Sequence, residues 1–514
     1  MCGIWAIFGS EEDISVQCNA AHEIGHRGPD AFRIETIHYF PKCCLGFHRL
    51  AIVDDLHGMQ PMRIFRHSHV WLIYNGEIYN HKEIEQQLGI ECTTSCDGEI
   101  IIHLYAKHGI EYAAKHLDGV FAFCILDTEK RQVFLGRDTF GVRPLFRLQT
   151  ADGLLAICSE AKGLLGLKHN STSKGIEPFL PGHVETYELD DKCRARLIEK
   201  TQFHKIGDPP AYTTCLQTTD DNTKRNIRLL LEAAVTKRLM SERRIGCLLS
   251  GGLDSSLVTA LVVKHAKENN FMYPIQTFSI GMEGSTDLLA ARKVAEHLQT
   301  EHHEVVFTPE EGIDALENVI YHLESYDITT VRASVGMYLV SKYIKEKTDS
   351  TVILSGEGSD EIAQGYIYFH KAPSAKKADE ESKRLCDDLY MYDVLRGDRT
   401  TSAWGLEIRV PFLDHKFSSH YMSLDSGLKL PKQGKEKYLL RSAFDDSKLL
   451  PADILWRPKE AFSDGVSSTT HSWYEVLQDF IEEQINDDEM STAAAKYPHN
   501  TPKTKEALYL QEDI

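Results

Sequence analysis

In the first third of the chain, apolar residues come in short runs broken by turn residues, a pattern that predicts many β-strands and few long helices. Strands are predicted over 4–8, 44–53, 70–74, 121–126 and 133–135. Two helical stretches interrupt them, over 84–88 and 99–108, the second carrying Ile101, Ile102 and Tyr105. This is an α+β arrangement rich in antiparallel pairing. From 191 to 222 the chain is polar and irregular, with Gly207-Asp208-Pro209-Pro210 as its strongest breaker, and predicts a linker. Beyond it, helical patterns such as 223–239 alternate with apolar strands over 245–249, 275–280 and 351–354. That alternation predicts a parallel sheet flanked by helices, an α/β domain. The expected organisation is therefore a first domain over 1–190, a linker over 191–222 and a second domain over 223–514.

Composition narrows the setting. A chain of 514 residues exceeds one ordinary core, which agrees with two domains. No run approaches the roughly 18 apolar residues of a membrane helix, so no membrane partner is expected. The 57 basic and 76 acidic residues give a formal net charge of −19, which disfavours a nucleic-acid partner. Twelve cysteines are scattered without a C-x-x-C pair, which suits a reducing compartment. Residues 1–10 lack the basic, apolar and small-residue order of a secretory signal, so the mature chain is expected to begin near residue 1. Asn170-Ser171-Thr172 fits a glycosylation sequon but, without an export signal, reads as a polar surface loop.

Cys2 follows the initiator methionine, and so small a second residue permits removal of Met1. The same residue would then hold a thiol and a free α-amine, whose reference pKa of about 8 lets it accept the thiol proton near neutrality. Asn75-Gly76 alone would read as a hairpin turn. Together with Met1-Cys2-Gly3-Ile4, His26-Arg27-Gly28-Pro29-Asp30, the block from Gly46 to Asp54 and Tyr74-Asn75-Gly76-Glu77-Ile78-Tyr79-Asn80, it resembles the class II glutamine amidotransferases. The resemblance implies an N-terminal nucleophile hydrolase fold with Cys2 as nucleophile. It assigns the oxyanion donors to the Asn75 side chain and the Gly76 N–H. Arg49 would take the glutamine carboxylate and Asp97 its ammonium, with further contacts from Leu50, Ala51, Ile52, Val53 and Glu77.

In the second domain, Cys247-Leu248-Leu249-Ser250-Gly251-Gly252-Leu253-Asp254-Ser255-Ser256 runs from a strand through a glycine turn into a helix. Such a turn offers backbone N–H groups and hydroxyls to a pyrophosphate, and it is not a Walker A loop. Leu354-Ser355-Gly356-Glu357-Gly358-Ser359-Asp360-Glu361 forms a second strand-end loop, which should converge with the first on one crevice. The serine-glycine-glycine string resembles the PP-motif of adenylating ATP pyrophosphatases. With Trp456-Arg457-Pro458-Lys459-Glu460 and the blocks over 326–334 and 407–414, the chain from Met1 to about Leu510 resembles the glutamine-hydrolysing asparagine synthetases, whose members usually extend further. That resemblance implies ATP contacts at Leu248, Ser250, Gly251, Gly252, Ser255, Ser256, Ile280, Ser355 and Gly356. It implies Mg²⁺ ligands at Asp254 and Asp360. Glu357 would serve adenylate formation and amination, Lys459 the departing pyrophosphate, and the block over 326–334 the aspartate and ammonia path. The implied reaction makes asparagine from aspartate, ATP and glutamine, and a homodimer is one candidate assembly that the sequence does not decide. An intact Cys2 argues against a β-lactam synthetase, which shares the architecture without glutamine hydrolysis.

Overall fold

The computed structural model describes residues 1–167, 175–212, 222–460, 462–468 and 472–512. The sequon at 170–172 and the polar stretch over 213–221 lie outside the described residues.

Strands form where apolar residues alternate, and two antiparallel sheets result. The six-stranded sheet has the order Ala31–Ile37, Phe40–Arg49, Gly3–Phe8, Leu155–Cys158, Phe146–Gln149, Ile176–Pro178. The five-stranded sheet has the order Ala195–Gln202, His183–Leu189, Gln132–Arg137, Gly119–Asp127, Val70–Ile78. Because side chains alternate along a strand, Ile4, Ala6 and Phe8 meet Ile73, Ala122, Cys124 and Leu126 in one core between the sheets. Trp5 and Ile7 face the other way, against Ala20 and Ala21 of the helix Ile14–His22. Leu72, Phe121, Phe123 and Ile125 face Ile101 and Leu104 of the helix Glu99–His108. The first domain is thus layered helix, sheet, sheet, helix, which places Cys2 at the entry of a central strand.

Two expectations need correction. Residues 195–202, read as linker, form the strand Ala195–Gln202, paired antiparallel with His183–Leu189. This is an edge strand exposed along most of its length, and its charged residues, which guard such edges, hide the alternation a buried strand would show. The strand expected over 44–53 ends at Arg49. Residues beyond it turn toward the second domain, where Ala51 O accepts from Arg243 Nε at 2.8 Å and Ile52 O from Glu242 N at 2.9 Å.

The second domain holds a parallel sheet in the order Glu301–Val306, Gln276–Gly281, Arg244–Leu248, Ser350–Leu354, Glu407–Arg409. Helices Leu253–Glu268, Thr286–Leu298 and Ile328–Lys347 pack against it. Chain order reverses between Arg244–Leu248 and Ser350–Leu354, so the crevice outside their C-terminal ends is the topological switch point where such sheets bind ligands. The domains do not close separately: Met1, Leu50, Ile52 and Val120 of the first join Ile245, Leu257 and Val410 of the second in one continuous core. Among the described residues, no helix is long and apolar enough to cross a membrane.

Burial sets one pH dependence. His48 lies inside the first domain, its Nε2 2.8 Å from Ala21 O, and burial lowers its pKa to about 4 despite that contact. The unfolded chain binds a proton on this ring below about pH 6.5 that the folded chain refuses, so stability falls as pH drops from there toward 4. His48→Gln keeps a donor for Ala21 O and does not titrate. Its urea midpoint should fall less than that of the parent between about pH 7 and about pH 5; equal acid losses would contradict the assignment.

Candidate active sites

The first site is a pocket lined by Cys2, Arg49, Leu50, Ile52, Val53, Gln60, Tyr74, Gly76, Glu77 and Asp97, with Glu407 of the second domain closing it. Leu50 N–H donates to Cys2 Sγ, a weak acceptor, at 3.4 Å, and the Cys2 carbonyl accepts from Arg27 Nε at 3.0 Å. Burial pushes the thiol up to about 11, although the terminal ammonium and Leu50 pull the other way. In this form the free amine belongs to Met1; it donates to Leu406 O at 3.0 Å, and burial lowers it to about 5.

Asn75 and Gly76 do not form a turn. They sit within the strand Val70–Ile78, opposite Ala122 and Phe121. Asn75 is 1% exposed, and neither polar atom of its side chain has a partner. A buried amide left wholly unsatisfied is costly; its neighbours Tyr74 and Gly76 line the pocket, whereas Asn75, expected there as an oxyanion donor, is not among the lining residues. Gly76 has φ +142°, and a Cβ there would lie 1.9 Å from Val120 O.

Recognition groups surround this pair. Tyr74 OH donates to Asp97 Oδ1 at 2.8 Å and Ile78 N to Asp97 Oδ2 at 2.6 Å, while burial raises the Asp97 carboxyl. The Arg49 guanidinium donates to the carbonyls of Asp55, at 2.8 Å, and Asp54, which aim it along the pocket wall. Glu77 Oε2 is buried without a partner; burial, Glu407 and Asp97 raise its pKa. Ala51 differs from its expected role. It does not line the pocket, and its N–H is taken by Asp30 at 2.8 Å.

The second site occupies the switch point. The strand Arg244–Leu248 leads through Ser250-Gly251-Gly252 into the helix Leu253–Glu268. Gly251 has φ +72°, and a Cβ would meet Ala290 at 2.5 Å, so this turn requires glycine. Ser250 Oγ and Ser255 Oγ are 3.1 Å apart across the loop. Ser256, by contrast, is fully buried and its hydroxyl has no partner. A Cβ on Gly356 would come within 2.8 Å of Ser255 N, so the two strand-end loops touch as expected. Leu248 and Ile280 lie on the neighbouring strands Arg244–Leu248 and Gln276–Gly281.

Two carboxylates converge here and are held by lysines. Lys437 Nζ stands 2.6 Å from Asp254 Oδ2 and 2.7 Å from Asp360 Oδ1; Lys459 Nζ is 2.7 Å from Asp360 Oδ2. Ser359 Oγ donates to Asp254 Oδ1 at 2.7 Å. Burial alone would raise the Asp360 carboxyl, but the two lysines outweigh it and hold it well below the usual range. Burial likewise opposes the charge on Lys459, and Asp360 and Asp254 more than restore it. Glu357 pairs with Arg396 Nη2 at 2.9 Å, yet burial keeps its pKa raised.

Sequence reading missed Lys437, Arg396 and Glu407 as site residues. Lys437 lies in a polar stretch with φ +53°, and nothing in its immediate neighbours marks it. Glu407 stood in a recognised block without a role.

The closeness of Gly76 to Val120 gives a direct test. Gly76→Ala should cost at least about 3 kcal/mol, since both the φ and the overlap with backbone must be relieved, and should lower the urea midpoint accordingly. A midpoint within error of the parent would show that the strands separate there without cost.

Comparison with known proteins agrees with this geometry. A family model described as glutamine amidotransferase domain matches residues 1–201, and one described as asparagine synthase matches 226–382 and 372–513. Three curated relatives, each described as asparagine synthetase [glutamine-hydrolyzing], align over all of this chain and 93% of their own length: those of Gallus gallus at 60% identity, Cricetulus griseus at 59% and Homo sapiens at 58%. With two sites in place and full-length similarity at this level, the chain belongs to the glutamine-hydrolysing asparagine synthetase family.

Proposed function

We propose that the chain carries out the reaction of its family with the residues described above. It makes L-asparagine from L-aspartate at the expense of ATP, using nitrogen released from L-glutamine, and yields AMP, pyrophosphate and L-glutamate. The observation that carries the glutamine half is the one pocket that Cys2 shares with Arg49, Gly76, Glu77 and Asp97.

Removal of Met1 would place the free amine on Cys2, where it takes the thiol proton as Sγ attacks the side-chain amide carbon of glutamine. The oxyanion formed is met by the Asn75 amide and the Gly76 N–H, donors already oriented before the charge develops. The proton then goes to the leaving ammonia, and water hydrolyses the thioester to glutamate. Arg49 suits the substrate carboxylate and Asp97 its ammonium.

At the switch point, a β-carboxylate oxygen of aspartate attacks the α-phosphorus of ATP and pyrophosphate leaves. Ser250, Gly251, Gly252 and Ser255 offer hydroxyl and backbone donors to the phosphates, while Leu248, Ile280, Ser355 and Gly356 border the nucleotide. Asp254 and Asp360 fit Mg²⁺: both are carboxylates, they face one point, and Asp360 Oδ1 is buried with an ion pair but no hydrogen bond. The ion when bound would screen the phosphate charge. Lys459, held at Asp360, is placed to stabilise departing pyrophosphate. Ammonia passes through the interior to the β-aspartyl-AMP, displaces AMP and sheds a proton. Glu357, whose raised pKa makes it a stronger base, is placed to accept that proton.

A cytosolic setting is supported by the described cysteines, all of which are free thiols. A homodimer rests on the family resemblance alone, and sedimentation of the purified chain decides it.

The two chemistries should separate by mutation. Cys2→Ala should abolish glutamate formation and leave asparagine synthesis from added ammonium intact. Lys459→Ala should slow pyrophosphate release by about 10²-fold or more, the usual loss for an electrostatic stabiliser, while glutamine hydrolysis continues. Near-normal pyrophosphate release by a folded Lys459→Ala protein, or glutamine hydrolysis by Cys2→Ala, would contradict the respective assignment.

A further inference from the structure

The helix Asp393–Ser402 belongs to the second domain, yet it touches the machinery of both sites. Arg396 and Asp398, two positions apart, project about 200° apart around the helix axis and so serve opposite sides. On one side Arg396 Nη2 holds Glu357 at 2.9 Å and is itself braced by Asp393 at 2.7 Å. On the other, Asp398 receives Arg27 through two parallel hydrogen bonds, Nη1 to Oδ2 at 2.8 Å and Nη2 to Oδ1 at 3.0 Å. Ser402 Oγ adds a third contact to Arg27 at 3.1 Å. Arg27 has spent its remaining Nε–H on the carbonyl of Cys2, at 3.0 Å. Gly397 lets the helix lie close to the strand Glu407–Arg409, since a Cβ there would come within 3.0 Å of Ile408 Cδ1.

These contacts are buried and specific. Arg27 is fully buried and Asp398 1% exposed. Glu160 also binds Arg27 Nη1, at 2.7 Å, but Glu160 is shared with Arg399 at 2.9 Å and with Lys162 and His26. Asp398 alone supplies the bidentate geometry that fixes the plane of the Arg27 guanidinium. Since Nε lies in that plane, the direction of the bond to the Cys2 carbonyl follows from it.

We infer that Asp398 is a positioning residue for glutamine hydrolysis, contributed by the synthetase domain to the nucleophile of the other domain through Arg27, on the helix that holds Glu357. The glutaminase half is therefore incomplete without the second domain, and the placement of Cys2 and of Glu357 refers to one rigid element. This rests on the assignment of Cys2 as the nucleophile.

The test uses the full-length enzyme with Asp398→Asn, which keeps shape and one acceptor but loses the second acceptor and the charge. Displacement of a nucleophile by about 1 Å costs on the order of 10²-fold, so kcat for glutamine hydrolysis should fall by about 10- to 100-fold with KM for glutamine little changed, because the residues lining the pocket are untouched. Asparagine synthesis from ammonium should fall by far less. Ser402→Ala, which removes only the single contact, should show the same selectivity with a few-fold loss, and decides the matter if Asp398→Asn does not fold. Normal glutamine hydrolysis in the folded variant, or equal loss of both activities, would overturn the inference. Cys2→Ala in parallel keeps the two claims apart: residual hydrolysis there removes the nucleophile assignment, whereas its absence alongside normal hydrolysis in Asp398→Asn removes only the role of Asp398.

Discussion

A set of buried charges at the junction of the domains determines where each active site stands. Arg27 and Arg399 are fully buried, and their partners Glu160, Asp398 and Glu324 come from both halves of the chain. Taking such ions out of water costs several kcal/mol each, and the attraction between them recovers this only when the geometry is good. The interface therefore tolerates one arrangement of the domains, the one in which every charge has its partner. An apolar junction of the same size would hold the halves together as firmly but would specify their register less sharply. The hydrophobic part of the contact, from Met1 through Leu50 and Ile52 to Val410, adds adhesion to a geometry set by the ions.

The same logic of compensated charge runs through both sites. Around Cys2, Glu77 and Glu407 are buried beside Arg409, which lies 3.6 Å from Glu77 and 2.8 Å from Glu407. Burial raises the Glu77 carboxyl, whereas Arg409 and Arg143 outweigh burial at Glu407 and lower it. At the switch point, burial alone would raise the Asp360 carboxyl, and Lys437 and Lys459 outweigh it and hold it below the usual range. Glu77 Oε2 in the first site and the Ser256 hydroxyl in the second are buried without hydrogen bonds, and the substrate reading gives both residues a ligand.

Much of this was legible along the chain, for identifiable reasons. The central strand Gly119–Asp127 is buried throughout and reads as an unbroken apolar run, and the helix Glu99–His108 matched its expected bounds. Cys2, Asn75, Asp254, Asp360 and Lys459 stand out in the sequence because they sit in compact motifs. What escaped was set by distance. Lys437 meets Asp254 across 183 positions, and Arg396 meets Glu357 across 39, so neither pairing leaves a local pattern. The strand Ala195–Gln202 escaped because it lies at a sheet edge, where solvent removes the alternation that burial imposes. Asn75-Gly76 was ambiguous for the opposite reason: its turn-forming composition is real, and only the pairing with Gly119–Asp127 shows that the glycine answers to the close approach of Val120.

The central claim is that one chain frees nitrogen at Cys2 and spends it at the Asp254–Asp360 crevice. The most direct measurement supplies glutamine labelled with ¹⁵N in its side-chain amide, together with aspartate, MgATP and an equal concentration of unlabelled ammonium, and follows asparagine by mass spectrometry alongside the adenine nucleotides. The account predicts asparagine carrying the label well above the share that mixing with free ammonium would give, with AMP and asparagine formed in equal amounts. Label at or below the mixing share, or ADP in place of AMP, would contradict it.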